Sequence, residues 1–131
     1  MNRPLTDRER RVLDRLLQAD GLPAADELRG QAAAATVTGY CGCGCPSIHL
    51  RIDRSRAKPA TRRVGLRLRA EPITGRPLAE AEWEAGWGGL LLWSEDGWLD
   101  YLEVFWGTDA PPDELPAPEE VRPLPFKPEN S

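Results

Sequence analysis

Apolar positions along the chain first recur at helical spacing and then at a spacing of two. Val12, Leu13, Leu16 and Leu17 form one stripe, with Arg8, Arg11, Asp14, Arg15 and Gln18 around it, the pattern of a helix that buries one side. Thr6 followed three residues later by Glu9 is a capping box, in which hydroxyl and carboxylate satisfy the free amides of a helix start. A helix is therefore predicted from Asp7, with Gly21 as its stop. A second, short helix is predicted from about Ala24 to Ala33, opening near Pro23 and burying Leu28 with alanines.

From Thr36 the period becomes two. Thr36 to Tyr40 reads as a strand, the glycine-rich Cys41 to Ser47 as a turn or bulge, and Ile48 to Asp53 as the returning strand. In that strand Ile48, Leu50 and Ile52 share one face, and His49, Arg51 and Asp53 the other. Arg54 to Arg63 reads as a mobile basic loop. Val64 to Arg69 alternates again, with Val64, Leu66 and Leu68 inward, and is expected to pair antiparallel with the preceding strand. Pro77 to Ala85 reads as a short helix, with Trp83 and Trp87 one turn apart, or as an irregular loop packed on its aromatics. Leu90 to Trp93 and Trp98 to Trp106 form a hairpin around Glu95, Asp96 and Gly97, because Asp-Gly suits a turn whose φ angles are positive. Strict alternation in the last strand puts Leu99, Tyr101 and Phe105 on one side and Trp98, Leu102, Val104 and Trp106 on the other. Beyond Ala110 the prolines exclude regular structure, and the acidic end lies along the body or stays mobile.

These elements define an α+β fold, with two N-terminal helices packed on a mainly antiparallel, curved sheet of about five strands and a Pro-rich acidic C-terminal tail. One domain is expected over 1–109 and the tail over 110–131. The 131 residues, 40% of them hydrophobic and five of them Trp, suffice for one packed core without disulfides. Apolar runs are too short to cross a bilayer and the first residues lack a signal-peptide pattern, so a cytoplasmic protein is expected, with no membrane partner. Three cysteines crowded at Cys41, Cys43 and Cys45 make a poor disulfide framework, which agrees with a reducing compartment.

The net charge of −4 is unevenly spread. Arg51 to Arg76 holds nine basic and two acidic residues, whereas Pro77 onward holds two basic and thirteen acidic. A basic middle and an acidic end attract one another within the fold. Trp residues sit in the acidic part and Arg residues in the basic part, whereas a nucleic-acid groove would interleave them, so nucleic acid is disfavoured as a partner.

Candidate chemistry centres on Cys41-Gly42-Cys43-Gly44-Cys45-Pro46, with His49 beyond it. Cys41, Cys43, Cys45 and His49 supply the donors of a tetrahedral zinc site, and the glycines let the backbone fold closely around a metal. Against this, zinc knuckles separate their cysteines by about two to four residues. A structural turn, its thiols buried as small hydrophobes, is the plainer reading, and a redox or nucleophilic thiol stands third. Glu95, Asp96, Asp100 and Glu103 crowd the last hairpin as solvated or arginine-paired carboxylates rather than as an acid and base pair. No phosphate-binding glycine loop, nucleophile elbow or zinc-protease helix occurs.

The Leu-Thr-Asp-Arg-Glu-Arg start, Leu28-Arg29-Gly30-Gln31, Cys41 to Ser47 and Asp96 to Trp106 together resemble small uncharacterised proteins of high-GC actinobacteria, a resemblance that implies no activity. The last strand and its proline-rich sequel are also similar to the closing strand of several bacterial toxin-immunity proteins. That similarity implies a small, acidic, stoichiometric inhibitor that plugs a basic active site. The leading expectation is thus a non-enzymatic protein that binds a protein partner through Trp98, Asp100, Tyr101, Glu103, Phe105 and Trp106, without a cofactor. Zinc binding at the cysteine cluster is the alternative, and an enzyme or nucleic-acid binder comes third.

Overall fold

The computed structural model describes residues 2–22, 24–42, 44–60, 79–83, 88–106 and 113–123. Strand β1 (Arg3–Pro4) precedes helices α1 (Asp7–Leu16) and α2 (Ala25–Ala33). Strands β2 (Ala35–Tyr40), β3 (Ile48–Ile52), β4 (Ala79–Trp83), β5 (Gly88–Glu95) and β6 (Trp98–Trp106) follow, and a 3₁₀ turn at Pro118–Glu120 leads into β7 (Val121–Pro123). The strands lie in the order β1-β2-β3-β6-β5-β4-β7, and every pairing among them is antiparallel. Five strands of five to nine residues carry the sheet, edged by two short ones. The expected α+β arrangement, helices first and antiparallel sheet after, is the arrangement found.

The capping box forms as the sequence requires. Glu9 N–H donates to Thr6 Oγ1 at 3.1 Å and Thr6 N–H to Glu9 Oε1 at 2.9 Å. Arg3, reaching from β1, adds a two-pronged pair on the same carboxylate at 2.9 and 2.8 Å, and its Nε donates to Tyr40 Oη at 3.0 Å. Burial pushes the Glu9 carboxyl up, but the Arg3 and Thr6 hydrogen bonds together outweigh it and hold the group below its ordinary range. The helix ends at Leu16, ahead of Gly21, and buries Val12, Leu13 and Leu16. Leu28, Ala32, Val37, Ile48, Leu50, Ile52, Leu90, Leu92, Leu102 and Val104 meet this stripe in one core between the helices and the sheet.

The β5–β6 hairpin turns on Asp96 (φ 56°) and Gly97 (φ 88°), the two positive angles that Asp-Gly was expected to supply. Glycine is required twice at 97, since a Cβ there would stand 3.0 Å from the Ala60 carbonyl oxygen. Strict alternation fails three residues later. The register steps from Trp93↔Tyr101 to Ser94↔Leu99, so Asp100 is the extra residue of a β-bulge. Leu99 therefore joins Leu102 and Val104 in the core, at 2% exposure, away from Tyr101 and Phe105, while Trp98 packs partly buried against the same core. That corrects the expected faces of this strand.

Two further differences concern β4 and the C-terminal end. Ala79–Trp83 is a strand rather than a helix or loop, paired with β5 on one side and β7 on the other. Ala and Glu favour helices, yet their alternation matches a strand with partners on both edges, and pairing overrides propensity. Residues 113–123 are ordered against α1 and include a 3₁₀ turn and a strand, although prolines were expected to exclude regular structure. Arg8 Nη1 donates to the Leu115 carbonyl at 2.8 Å and Arg15 Nη2 to the Val121 carbonyl at 3.0 Å, with Leu115 and Val121 in the core. The exposed pairs Arg8–Glu114 and Arg11–Glu119, at 3.6 and 3.9 Å, add little each. Among the described residues Glu114 and Glu119 of the acidic end are thus met by α1, and most of the basic middle lies outside the described residues. The expected strand from Val64 to Arg69 lies outside the described residues.

Gln31, fully buried in α2, ties the two halves of the sheet together. Its Nε2 donates to the Lys58 and Gly97 carbonyls at 2.9 and 2.7 Å, and its Oε1 accepts from Leu99 N–H at 2.8 Å. Gln31→Leu keeps the size but leaves the Lys58 carbonyl and Leu99 amide without this partner. Urea unfolding is expected to show a loss of about 3 kcal/mol, and a loss below about 0.5 kcal/mol would remove Gln31 from this role. Because the Glu9 carboxyl is held low in the fold, its stabilisation is present above the unfolded value and lost as pH falls through the folded one. Glu9→Gln is expected to be less stable than wild type at pH 7, with the gap closing in acid; an unchanged gap across that range would count against the Arg3–Glu9 pair.

Candidate functional site

Two features stand at either end of the line where β3 meets β6, the first of them on the sheet face opposite the helices. The first is built on the cysteine turn. Tyr40 pairs with Ile48 and Cys41 N–H donates to the Ser47 carbonyl at 3.3 Å, so the turn is closed at its base, and Gly44 bends it at φ 93°. Ser47, 1% exposed, sits where the β3–β6 ladder ends. Its hydroxyl accepts from Val104 N–H at 2.8 Å and from the Cys45 thiol at 3.2 Å, which leaves its own proton for the Tyr101 oxygen. The Tyr101 hydroxyl is hydrogen-bonded to the side chains of both Ser47 and Cys41. Burial, with the neighbouring Cys41 and Glu103, pushes this phenol up to about 12 against the lowering effect of Ser47.

Around this junction the cross-strand partner His49 lies flat on Tyr101, 4.4 Å between ring centroids and 23° between planes. Trp93 Nε1 donates to Glu103 Oε1 at 2.8 Å. Cys41, Cys45, Ser47, Tyr101, Glu103 and Phe105 border a shallow cavity of about 270 Å³, and Phe105 remains 46% exposed beside it. On the other side of the turn, Cys41 and Cys45 border a second cavity of about 640 Å³ with Arg3, Tyr40 and Leu115.

The second feature is a groove of about 860 Å³ at the hairpin end. Only Ile48↔Leu102 and His49↔Tyr101 are registered pairs between β3 and β6, and beyond the Asp100 bulge the strands part. Arg51, Arg54, Arg56, Trp98 and Asp100 line it, together with Arg10, Ala33 and Ala34 from the helix layer. The Arg54 guanidinium stands 4.7 Å from the centre of the Trp98 ring, a favourable cation–π contact. Arginine and tryptophan, segregated along the chain, thus meet in space. Asp53, Glu95, Asp96 and Asp100 line the same groove and offset the guanidiniums, so it lacks the uniform positive field of a phosphate track.

Of the residues expected to bind a partner, Tyr101, Glu103 and Phe105 are brought together at the cysteine end, and Trp98 and Asp100 stand in the groove. Trp106 ends β6 opposite Gly88. Of the residues expected to bind zinc, Cys41 and Cys45 share a cavity, His49 is stacked on Tyr101, and Cys43 lies outside the described residues. Among the described residues no three His, Cys, Asp or Glu side chains gather as metal ligands would. Ser47, the centre of the junction, was not singled out from sequence; nothing local marks it, because its partners Tyr101 and Val104 are more than fifty residues away. No helix among the described residues is long and apolar enough to cross a membrane. No family model, curated protein or solved structure matches the chain.

Ser47→Ala removes the acceptor of a buried amide. A cost of about 2 kcal/mol is expected in chemical unfolding, together with faster hydrogen exchange at Val104; unchanged exchange there would show that the amide does not depend on Ser47.

Proposed function

We propose that the chain is a small non-enzymatic binding protein that holds a protein partner against the β6 side of the face opposite the helices, in the manner of an immunity-type inhibitor. The exposed Phe105 carries this reading. A large apolar side chain left nearly half in water beside Tyr101 and Glu103 is the kind of anchor that fills a pocket on a partner. Edge pairing is the poorer route for a partner, because β1 and β7 at the two edges are short and contain Pro4 and Pro123, which cannot donate to an added strand. The thirteen carboxylates from Pro77 onward favour a basic partner surface, with Glu95, Asp96 and Glu103 along the hairpin among them.

The test is capture of a partner by the immobilised chain, followed by affinity measurement with the purified pair. Phe105→Ala is expected to weaken binding about 30-fold, as loss of a roughly 2 kcal/mol anchor would, and raised salt to slow association. Binding that Phe105→Ala leaves within about twofold of wild type would overturn this docking surface.

A further inference from the structure

We propose that Cys41 and Cys45 form a peroxide-sensitive thiol pair that closes into a reversible disulfide across the turn. The inference is independent of any partner. Both residues are thiols in the structure, and they line the same two cavities, one on either side of the turn, so a small oxidant has two approaches. A chain of hydrogen bonds joins them: Cys45 to the Ser47 hydroxyl at 3.2 Å, and Ser47 and Cys41 both to the Tyr101 hydroxyl. The turn that separates them is closed at its base by Cys41 N–H on the Ser47 carbonyl. Among the described residues nothing stands within 4 Å of where a side chain on Gly42 or Gly44 would begin, which leaves room for the loop to tighten towards the roughly 4.4–6.8 Å between Cα atoms that a disulfide needs.

The two thiols differ in access, and this sets their order of reaction. Cys41 is partly exposed and Cys45 is 5% exposed, so Cys41 meets peroxide first. Its thiolate attacks one oxygen of hydrogen peroxide, the O–O bond breaks, and the departing hydroxide takes up a proton as water, leaving Cys41 as a sulfenic acid. Cys45 then gives up its proton and attacks the Cys41 sulfur; the S–O bond breaks, the hydroxide leaves as a second water, and the S–S bond forms. Two thiols and one peroxide yield one disulfide and two waters. The product has no thiol hydrogen for Ser47, so the Ser47–Tyr101 junction is rearranged by the oxidation.

The experiment treats the full chain with one equivalent of hydrogen peroxide, alkylates it with iodoacetamide, digests it without reduction and fragments the peptide that carries all three cysteines. The expected peptide lacks two hydrogens, carries its single alkyl group on Cys43, and regains three alkylatable thiols after dithiothreitol. Cys45→Ser, treated the same way in the presence of dimedone, is expected to trap a sulfenic acid on Cys41. An alkyl group on Cys41 or Cys45 after oxidation, three alkylated cysteines, or wild-type Cys41 carried on to the sulfinic acid would each overturn the pairing. The wild-type result stands even if the Cys45→Ser chain fails to fold.

Discussion

The seam between β3 and β6 is the constraint on which the fold depends. It joins a half built from the N-terminal helices and β1 to β3 with a half built around the β5–β6 hairpin, yet registered pairing crosses it at only Ile48↔Leu102 and His49↔Tyr101. Two buried polar side chains extend it. Gln31 holds the hairpin end through Gly97 and Leu99, and Ser47 holds the opposite end through Val104. Each meets a backbone amide of β6, and each sits where an unmet backbone group would be costly to bury. Apolar burial holds the layers together, but it is non-directional; these two side chains fix the relative placement of the halves.

The Asp100 bulge follows from the same geometry. One extra residue in β6 puts both Leu99 and Leu102 into the core. It also bends the strand away from β3, which opens the groove lined by Arg51, Arg54 and Arg56. The hairpin end of the sheet thus gains its relief from a single residue out of phase. Among the described strands the two edges are short and bear prolines, and residues 113–123 are held to α1 by Arg8 and Arg15, so the unusual chemistry gathers along the β3–β6 seam.

Local features of this fold were legible in the sequence. The capping box at Thr6 and Glu9, the stripe of Val12, Leu13 and Leu16, the alternation of Ile48, Leu50 and Ile52, and the Asp96-Gly97 turn all depend on neighbours within a few residues, and all formed as read. What was not legible depends on distant residues. Ala79 to Trp83 contains helix-forming types, and only pairing with β5 and β7 makes it a strand, though its small-charged alternation was a signal. Gln31 falls three residues after the buried Leu28, on the inward stripe of an alanine-rich helix, and that position could have marked it as a buried polar group needing partners. Ser47 and the Asp100 bulge had no such mark, since each is defined by strands distant along the chain.

The placement of Ser47 links the chemistry of the turn to the shape of the face. Its single oxygen accepts from a backbone amide of β6 and from the Cys45 thiol, while its proton is directed to Tyr101, which in turn supports His49 by stacking. A change at either cysteine therefore alters how Ser47 is shared, and Ser47 is what ends the β3–β6 ladder beside Phe105. A purely apolar residue at 47 would fill the space but could hold neither the Val104 amide nor the Tyr101 phenol. A buried hydroxyl with several partners makes the turn and the β6 face one unit, so that local chemistry at Cys41 and Cys45 has a path of one or two hydrogen bonds to Tyr101 and the strand that carries Phe105.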